Sequence, residues 1–505
     1  MADKILFWLD GDIIHFGIAK YLQKNYDCKL YAIIDITNEP KPFFKNQNIV
    51  NFQKQWFYHD YLQNLKDPDI SYLSNFEKKY DLNFSELMIN DRLFFQYNDY
   101  YKFSDNEIFS ILENECKLFE KILDEIEPNF LVIHETTLRQ HHLLHKICIK
   151  RGIKILMLNF SNFGQRSYIS EIYHKLDFLP NLENLQHSNR NFSDLQDLLK
   201  SDKTSTRIMN FYKKYQNSKI DIIKAALHFL FVANNSNIKT HYSYRGRTKI
   251  RVLFKEIIFN IKKKHRESFV NKNLSYTIDE NESFIFFPMH QEPERSLLIS
   301  SPFHNNQIEI IKQIAKSLPV GYKLYVKEHP TQGKGRGWRS TSVYKQIMDI
   351  PNVKLIHPSI HSYKILPHCS LVVSISGTTC FESAFYEKPS ITFADDGYNI
   401  LPSIYRMKSI EELPKLIHSA LKTNVKVTDI DKYVTFLEEN SFDFDYPSLV
   451  AAYHNRFYFG GNLIDVNISI PDMEAFLLEQ ELIFEKLALE HIKKIKQHNL
   501  KIKEK

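Results

Sequence analysis

Four small residues between an apolar strand and a helix form the most informative stretch of this sequence. They are Ser376, Gly377, Thr378 and Thr379. The first turn of a helix has free N–H groups and a partial positive charge, and small hydroxylated side chains let a phosphate reach them. Gly377 supplies either a positive φ or room for the ligand. One turn into the helix, Glu382 could accept hydrogen bonds from ribose hydroxyls. The pattern predicts a nucleotide site; a capped strand-to-helix turn, with Glu382 as a capping-box acid, is the structural alternative.

Polar side chains also follow the neighbouring predicted strands of this half. The strand YKLYVK ends at Lys327, and His329 and Pro330 follow it. The strand FIFF is followed by a polar loop that contains Gln291 and Glu294. Histidine can donate a hydrogen bond to a phosphate or to a leaving-group oxygen. Loops at the carboxyl ends of adjacent parallel strands form the ligand crevice of an open sheet. We therefore expect these residues to join the small-residue turn in one donor-nucleotide site.

Carboxylates follow two predicted strands of the N-terminal half. Asp10, Gly11 and Asp12 come after KILFWL, and His134 and Glu135 come after FLVI. A general base needs a carboxylate or an imidazole at such a position, and we expect it to be Glu135 first and Asp12 second. The Asp-Gly-Asp triplet also resembles the DxD motif of metal-dependent sugar transferases. So short a match has low specificity, and a strand-to-helix turn with an aspartate N-cap is the simpler explanation.

The sequence gives no pattern that is typical of a metal site. His141, His142 and His145 lie on one predicted helix without a carboxylate or cysteine pattern beside them. We expect partly exposed helix histidines, no bound metal and no cofactor. The five cysteines are scattered and form no CxxC pair, which indicates reduced thiols and a cytosolic compartment.

Strands and helices must alternate to position these residues. The N-terminal half reads as βαβ units, from KILFWL to IKILML, and the C-terminal half repeats the pattern from FIFF to PSITF. The alternation predicts the α/β class, with two Rossmann-like domains that face a cleft. We expect an N-terminal domain over residues 1–275 with a helical segment at about 185–275. A nucleotide-binding domain over 284–425 follows, and then a helical segment, 426–505, that is placed to cross back to the first domain.

Composition excludes several classes of protein. The 505 residues are 43% hydrophobic, enough for large cores, so global disorder is excluded. A net charge of +6 excludes a globally basic nucleic-acid binder. We find no apolar run long enough for a membrane span, and the first residues are too acidic for a signal peptide.

Residues 239–268 form a locally basic segment. They contain ten Lys or Arg against Glu256 and Glu267, with Phe, Ile and Leu interleaved. Three interpretations stay open: a solvated helical arm packed by its apolar stripe, a helix on an anionic membrane surface, and a nucleic-acid site. No nucleic-acid motif accompanies the charges, so we expect no nucleic-acid partner. The membrane interpretation makes the protein peripheral on the inner face of the cytoplasmic membrane.

The motifs HQEPE, YVKEHP and SISGTTCFESAFYEKPSITF resemble the bacterial capsule and surface-polysaccharide biosynthesis family, which includes Kdo- and sialyltransferase-like enzymes of GT-B fold. The resemblance covers residues 284–400. In that family an HP loop and a Ser/Thr-rich loop hold the nucleotide, which implies His329-Pro330, the turn from Ser376 to Thr379, and Glu382 for the ribose. Polyol-phosphate transferases of teichoic acid synthesis share these loops and also resemble KPSITFADDGY. Both relatives can use cytidine nucleotides.

The resemblance implies an inverting, metal-independent glycosyltransferase. Its partners would be a nucleotide-sugar donor, with cytidine as the expected base, and a glycan or lipid-linked acceptor on the N-terminal domain. A polyol-phosphate transferase and a non-catalytic nucleotide- or glycan-binding protein on the same fold are the alternatives. A carboxylate that faces the donor pocket would favour an enzyme.

Overall fold

The computed structural model describes residues 2–161, 163–201 and 219–503, and these form two domains, each built on a mainly parallel sheet. The predicted α/β class is confirmed. The first sheet has the strand order β13-β6-β5-β4-β1-β2-β3. Its strands are β1 (Asp3–Leu9), β2 (Cys28–Ile34), β3 (Phe52–Phe57), β4 (Phe130–Ile133), β5 (Lys154–Phe160), β6 (Arg166–Ser170) and β13 (Phe442–Asp443).

The second sheet is parallel throughout and has the order β12-β11-β10-β7-β8-β9. Its strands are β7 (Phe284–Pro288), β8 (Lys323–Lys327), β9 (Val353–Ile356), β10 (Leu371–Ser374), β11 (Ser390–Thr392) and β12 (Ile404–Arg406). Because β7 lies between β10 and β8, the loops that follow these three strands meet at one edge of the sheet. All three carry polar residues that the sequence singles out.

Helices cover both sheets. Those of the N-terminal half are α1 (Ile14–Asn25), α2 (Lys41–Asn46), α3 (Ile70–Tyr80), α4 (Phe84–Ile89), α5 (Asp105–Ile126) and α6 (Arg139–Lys150). Those of the middle are α7 (Phe192–Ser201), α8 (Lys219–Phe231), α9 (Asn237–Thr240) and α10 (Lys249–Asn273). The C-terminal half has α11 (Arg295–Leu298), α12 (Gln307–Lys316), α13 (Pro330–Arg336), α14 (Thr341–Met348), α15 (Ser362–Ile365), α16 (Thr378–Ala384) and α17 (Leu413–Ala420). The last helices are α18 (Val427–Glu439), α19 (Tyr446–Phe457), α20 (Ile470–Glu479) and α21 (Glu481–Lys503).

The first sheet is parallel from β5 to β3, as continuous apolar strands buried on both faces predict. Leu6 and Trp8 pack on one side of β1, and Ile5 and Phe7 pack on the other. At the β5 edge the sheet adds two antiparallel strands, β6 and β13. Neither is expected from the alternating pattern, because β13 pairs with a strand some 270 residues earlier in the chain.

The middle segment does not belong wholly to the first domain, which corrects the predicted boundary at residue 275. Leu195 of α7 and Leu182 are buried against the second sheet's helices. Val270 and Leu274, at the end of α10, pack in the other core of the second domain. These buried apolar side chains assign both ends of the middle segment to the second domain. The polar, helical composition of the segment does not reveal this burial. The part of this segment at 202–218 lies outside the described residues.

The C-terminal residues 442–503 lie on the first domain. Beyond β13, helices α19 to α21 contribute to the same apolar core as β1 and β2. Helix α21 packs along α1 at Gly17, where the ring of Phe484 fills the space above the backbone. This packing carries Tyr446, at the start of α19, towards the carboxyl end of β1.

We expect Gly17→Ala to destabilise the protein by about 1–3 kcal/mol, the usual effect of overpacking a core. A Cβ at Gly17 would lie 2.2 Å from a ring carbon of Phe484, and that ring is fully buried. Urea unfolding measures the change. Gly11→Ala is the control, because nothing lies within 4 Å of a Cβ there. Equal stability of Gly17→Ala and the unsubstituted protein would contradict the packing of α21 on α1.

Candidate functional site

The carboxyl ends of β1 and β4 bring an aspartate and a histidine into direct contact. His134 Nε2 lies 2.7 Å from Asp10 Oδ2, and the side chains of the two residues are 18% and 20% exposed. Asp10 Oδ1 accepts the backbone N–H of Asp12 at 2.8 Å, and Asp12 Oδ1 accepts that of Ile14, the first residue of α1, at 2.9 Å. The loop after β1 therefore holds the carboxylates of Asp10 and Asp12 close together at the carboxyl end of the strand.

These contacts separate the proton affinities of the two aspartates. Burial opposes ionisation of Asp10, but the charge and hydrogen bond of His134 outweigh it and lower the pKa of Asp10 to about 2. Burial, and then the negative charge of Asp10, raise the pKa of Asp12 to about 6. Burial would lower the pKa of His134, but Asp10 raises it to about 9. Asp12 is thus ionised at neutral pH and is a stronger base than an ordinary aspartate.

Two further residues surround Asp12. The hydroxyl of Tyr446 forms a side-chain hydrogen bond with Asp12, which lowers the pKa of the carboxyl and partly offsets burial. Glu135 is half-buried beside His134, and its backbone carbonyl accepts the N–H of Thr137 at 2.6 Å. Both carboxylates predicted as the base therefore lie at this edge of the first sheet.

Two of the three helix histidines, His141 and His145, are buried, which corrects the expectation of partial exposure for them but not for His142. His141 is fully buried and His145 is 8% exposed, while His142 is half-buried. His15, on α1, is also buried, and neither of its ring nitrogens has a hydrogen-bond partner among the described residues. The rings are buried because α1 and α6 both turn these faces towards the sheet.

A carboxylate does lie beside the helix histidines, contrary to the sequence-based expectation. Asp10, His134 and His141 offer three ligand atoms within 4.8 Å of one another. One carboxylate with two imidazoles is a set that suits zinc or another transition metal. The sequence does not reveal this grouping, because Asp10 is more than a hundred residues from the histidines and the sheet brings them together.

On the second domain, the small-residue turn follows β10 and opens α16. Gly377 has φ −139° and ψ 145°, so the positive-φ explanation of this glycine is wrong. Space explains it instead, because a Cβ would lie 2.8 Å from Ser374 Oγ and 3.4 Å from His290 Cε1. The side chain of Thr378 is exposed and donates to Glu382 Oε1 at 3.0 Å. Thr379 is half-buried in the first helical turn, whose N–H groups have no acceptor within the helix.

Ser376 has a positioning role in this turn. It is 8% exposed, and its hydroxyl donates to Asp396 Oδ2 at 3.1 Å. The hydroxyl of Tyr398 lies 2.7 Å from the same oxygen and 3.1 Å from the carbonyl oxygen of Gly377. Burial would raise the pKa of Asp396, but bonds from His174, Tyr398 and Ser376 keep it low. The buried carboxylate of Asp396 therefore holds the turn from Ser376 to Thr379 in place through Ser376 and Tyr398.

His290 is a residue that the sequence prediction missed. Its Nε2 accepts the N–H of Ser376 at 3.2 Å, and its Nδ1 lies 3.1 Å from Glu294 Oε2. Since Nε2 is an acceptor, the proton of the neutral ring is on Nδ1 and points to Glu294. Burial opposes ionisation of Glu294, but His290 lowers the pKa of that carboxyl. The sequence signals for His290 are its position in the loop that follows β7 and its place as the first residue of the HQEPE motif.

His329 caps the helix that follows β8 through one ring nitrogen. The N–H of Thr331 donates to His329 Nδ1 at 3.3 Å, which caps α13 and leaves the proton of the neutral ring on Nε2. Burial lowers the pKa of His329, so the ring is neutral at pH 7. Thr331 also donates its hydroxyl to Gln291 Oε1 at 2.9 Å. The loops after β7 and β8 are therefore joined by Gln291 and Thr331.

Lys327 supplies a buried amine next to this crevice. It is 5% exposed, and its Nζ donates to Ser362 Oγ at 3.2 Å. Burial lowers the pKa of Lys327 to about 8, and the nearby charge of Glu382 partly opposes this. The amine of Lys327 stays largely protonated at pH 7, and the carboxylate of Glu382 lies nearby. Such an amine can bind a phosphate, and such a carboxylate can accept hydrogen bonds from hydroxyl groups.

Arg295 joins the two halves of the site. Its Nη2 donates to Thr136 Oγ1 at 2.8 Å, so the loop that holds His290 and Glu294 contacts the loop that holds His134 and Glu135. The guanidinium also stacks 3.6 Å from the centre of the Tyr173 ring. The sequence could not assign Arg295, because its partners come from the other domain.

A second contact between the domains lies nearby. The N–H of Gly397 donates to the carbonyl of His174 at 3.0 Å, and Lys175 Nζ lies 2.6 Å from Asp395 Oδ2. With the contact of Arg295, these bonds hold the loops at the carboxyl edge of the first sheet against the loops at the carboxyl edge of the second sheet.

A cavity of about 200 Å³ opens beside Asp10 on the first domain. Aromatic and aliphatic side chains form most of its wall, among them Phe16, Phe44 and Tyr458. Its polar part includes Asp35, which lies 2.9 Å from His59 Nε2. A cavity with apolar walls and a few oriented polar groups can bind a small organic ligand.

Part of the chain, which includes most of the second domain, is similar to a known family. Residues 188–402 match the model of a family described as capsule polysaccharide biosynthesis protein. No curated protein matches the chain. The matched residues include every loop of the crevice on the second domain.

Solved structures with a similar arrangement include two kinds of enzyme. UDP-GlcNAc 2-epimerase of Methanocaldococcus jannaschii has 13% identity and a TM-score of 0.26, over 87% of this chain and 99% of that one. The β-Kdo 2,7-transferase KpsC of Thermosulfurimonas dismutans has 10% identity and a TM-score of 0.31, over 63% and 89%. These scores are too low to carry an argument. The chain thus has two α/β domains, and its residues 188–402, less than half of its length, are similar to capsule polysaccharide biosynthesis proteins.

Proposed function

We propose that the protein is an inverting, metal-independent glycosyltransferase that moves a sugar from a cytidine-based nucleotide donor to a glycan or lipid-linked acceptor in capsule synthesis. One observation carries the proposal. The 2.8 Å contact between Arg295 and Thr136 draws the donor-side loops and the carboxylates of the first domain together across one cleft. A transferase needs such an arrangement, because the acceptor hydroxyl must reach the sugar while the nucleotide leaves.

The donor nucleotide binds on the second domain in this proposal. Its phosphate lies against the first turn of α16, with the hydroxyl of Thr379 and the backbone N–H groups of Thr378 and Thr379 as donors and Gly377 as the point of close approach. Nε2–H of His329 and the amine of Lys327 stabilise the charge that develops on the departing nucleotide. Support comes from the tautomer of His329 and from the buried, protonated Lys327.

Glu382, Gln291 and Glu294 complete the donor site. The ribose hydroxyls donate to Glu382, which the side chain of Thr378 orients. Gln291 and Glu294 lie in the loop after β7. Glu294 positions His290 through a direct hydrogen bond. Gln291 accepts a hydrogen bond from Thr331, which in turn contacts His329. Cytidine is proposed on the family resemblance of these loops alone.

The acceptor binds on the first domain, in the cavity beside Asp10. Its aromatic wall fits the apolar faces of a sugar ring, and Asp35 and Gln140 offer polar contacts to hydroxyls. We propose Asp12 ahead of Glu135 as the general base. A pKa raised to about 6 makes Asp12 a carboxylate that is ionised at pH 7 and still basic enough to take a proton.

No metal takes part in the proposed reaction. Asp10, His134 and His141 could hold one, but Asp10 and His134 already neutralise each other through a 2.7 Å hydrogen bond. The cationic groups of the donor site, Lys327 and Arg295, supply positive charge without it. We place the reaction in the cytoplasm, where nucleotide-activated donors are made.

Polyol-phosphate transfer is the second candidate. The buried pair of Asp396 and Tyr398 beneath the donor turn is the feature that favours it, since an aspartate and a tyrosine after the last strand also occur in that family. Both reactions bind the nucleotide in the same way and differ in the bond that breaks. Phosphorus analysis of the product separates them, because only polyol-phosphate transfer adds phosphate to the acceptor.

Thr378→Val and Glu382→Ala should each weaken nucleotide binding by about 10- to 100-fold, because a hydrogen bond to a charged group contributes roughly 1.5–3 kcal/mol. Calorimetry with CMP, CDP, UDP and GDP in the presence of EDTA measures the affinity and identifies the base. Thr341→Val is the matched control, because Thr341 also opens a helix of this domain, α14.

Two results would contradict the donor-site proposal. One is unchanged affinity in both variants, which would move the nucleotide elsewhere. The other is nucleotide binding that appears only when a divalent metal replaces EDTA, which would favour a metal held by Asp10, His134 and His141.

A further inference from the structure

Helix α10 carries an apolar stripe that faces away from the protein. Its members are Ile250, Phe254, Ile257 and Ile261, which are 83%, 62%, 60% and 64% exposed. At 100° per residue their spacing places all four on one side of the helix. Four large apolar side chains in a line on a surface helix mark an interaction site rather than scattered exposure.

The opposite side of α10 makes the contacts that hold the helix in place. Val270 is fully buried, and the ring of Phe259 lies against Gly337. Arg266 Nη1 donates to the carbonyl oxygen of Trp338 at 2.9 Å. The exposed stripe is therefore not the packing face of a solvated arm, which removes that interpretation of the basic segment.

Basic residues flank the stripe on both sides. The helical period puts Lys264 on one side and Lys262 on the other, and both acids of the helix, Glu256 and Glu267, lie beyond Lys264. Arg251 is on the side of Lys262, where its guanidinium donates to the carbonyl oxygen of Asp99 at 3.3 Å. An apolar stripe between cationic edges fits the boundary between lipid headgroups and acyl chains of an anionic bilayer. A protein partner would need acids opposite these lysines as well as an apolar groove, whereas an anionic bilayer offers both at once.

Helix α8 extends the apolar surface. Ile223, Leu227 and Phe231 are 58%, 50% and 79% exposed. Lys249 Nζ, at the start of α10, donates to the carbonyl oxygen of Leu230 at 2.9 Å and so ties the two helices together. Within the described residues no helix is long and apolar enough to cross a bilayer.

We propose that α10, together with the adjoining end of α8, lies on an anionic lipid surface with the stripe at the level of the headgroups. The protein is then a peripheral membrane protein, held by insertion of the stripe and by the lysines beside it. The inference rests on the exposure and charge of these helices and does not depend on the proposed transferase activity. In a transferase with a lipid-linked acceptor it would concentrate the enzyme where that acceptor is.

Co-sedimentation of the full-length protein with vesicles tests the proposal. At low salt the protein should bind vesicles that contain phosphatidylglycerol and bind pure phosphatidylcholine vesicles far more weakly. Lys262→Gln with Lys264→Gln should weaken anionic binding by about 25-fold, since each charge near the surface contributes roughly fivefold. Phe254→Ser with Ile257→Ser should abolish binding even at low salt.

Matched controls carry the same changes elsewhere on the surface. Phe303→Ser with Val320→Ser removes two apolar side chains that are 78% and 105% exposed, and Lys316→Gln with Lys345→Gln removes two lysines of the second domain. Both controls should bind vesicles as the unsubstituted protein does. Circular dichroism and nucleotide affinity should not change in any variant, which separates this test from that of the donor site.

Three results would overturn the proposal. They are no binding of the unsubstituted protein to anionic vesicles at low salt, equal losses in the stripe variant and its control, and a concentration-dependent dimer that the stripe variant abolishes while vesicles are ignored. The last result would assign the stripe to an interface between two copies of the chain.

Discussion

Asp12→Asn should lower turnover by about 10²- to 10⁴-fold and leave nucleotide affinity unchanged, because the amide keeps the shape of the carboxylate but cannot take a proton. Asp12 Oδ1 accepts the N–H of Ile14, the first residue of α1, and an asparagine oxygen accepts this N–H equally well. The fold should therefore survive. Single-turnover transfer measures the chemical step, and calorimetry measures donor binding.

The pH dependence gives this assignment a second test. A base acts only when it is deprotonated, so activity should fall as the pH drops through the pKa of Asp12, about 6, rather than through the ordinary value near 4. The bond from Tyr446 lowers the pKa of Asp12, so Tyr446→Phe should move the acid limb to higher pH. A role in folding alone would not move that limb.

Glu135→Gln is the competing variant. If Glu135→Gln loses turnover and Asp12→Asn does not, the order of preference derived from the sequence is right and the one derived from the pKa shift is wrong. If neither variant loses turnover, the base lies outside this loop pair. Asp124→Asn, at a 68% exposed carboxylate of the same domain, is the control and should have full activity.

The sequence predicts the loops of the crevice well because the rule behind them is local. Each polar cluster of the second domain directly follows an apolar strand, and parallel strands end at the same edge of a sheet. The order β10-β7-β8 then makes the loops with Ser376, His290 and His329 neighbours. The α/β class follows from the same alternation, without any knowledge of tertiary contacts.

The residues that the sequence does not reveal are those whose partners are distant in the chain. Arg295 acts through Thr136, and His141 approaches Asp10 across more than a hundred residues. Likewise, β13 returns to β6 only after the whole second domain. Periodicity shows which face of a helix is apolar, but only packing shows that the stripe with Ile257 faces outward.

Arg339→Met should destabilise the protein by about 3–5 kcal/mol and also weaken nucleotide binding. Arg339 Nε donates to Glu328 Oε2 at 2.8 Å, and the two side chains are 4% and 0% exposed. Without the arginine, the carboxylate of Glu328 would remain buried with only Tyr344 and a backbone N–H as donors. Urea unfolding measures the loss, and Arg406→Met, at a half-exposed ion pair with Asp395, is the control with a change of about 0–1 kcal/mol.

The same pair also positions both donor-site histidines. Glu328 Oε1 accepts the N–H of His329 at 2.7 Å, and Arg339 donates to the carbonyl oxygen of His290. Adding Glu328→Leu to Arg339→Met should recover part of the stability, because the fully buried carboxylate is removed together with the arginine, while Glu292, the other partner of Arg339 at 2.5 Å, is 26% exposed and reaches water. Nucleotide affinity should stay low in this double variant, because neither histidine regains its anchor. Recovery of both quantities together would show that the pair contributes stability alone and that the histidines are held by other contacts.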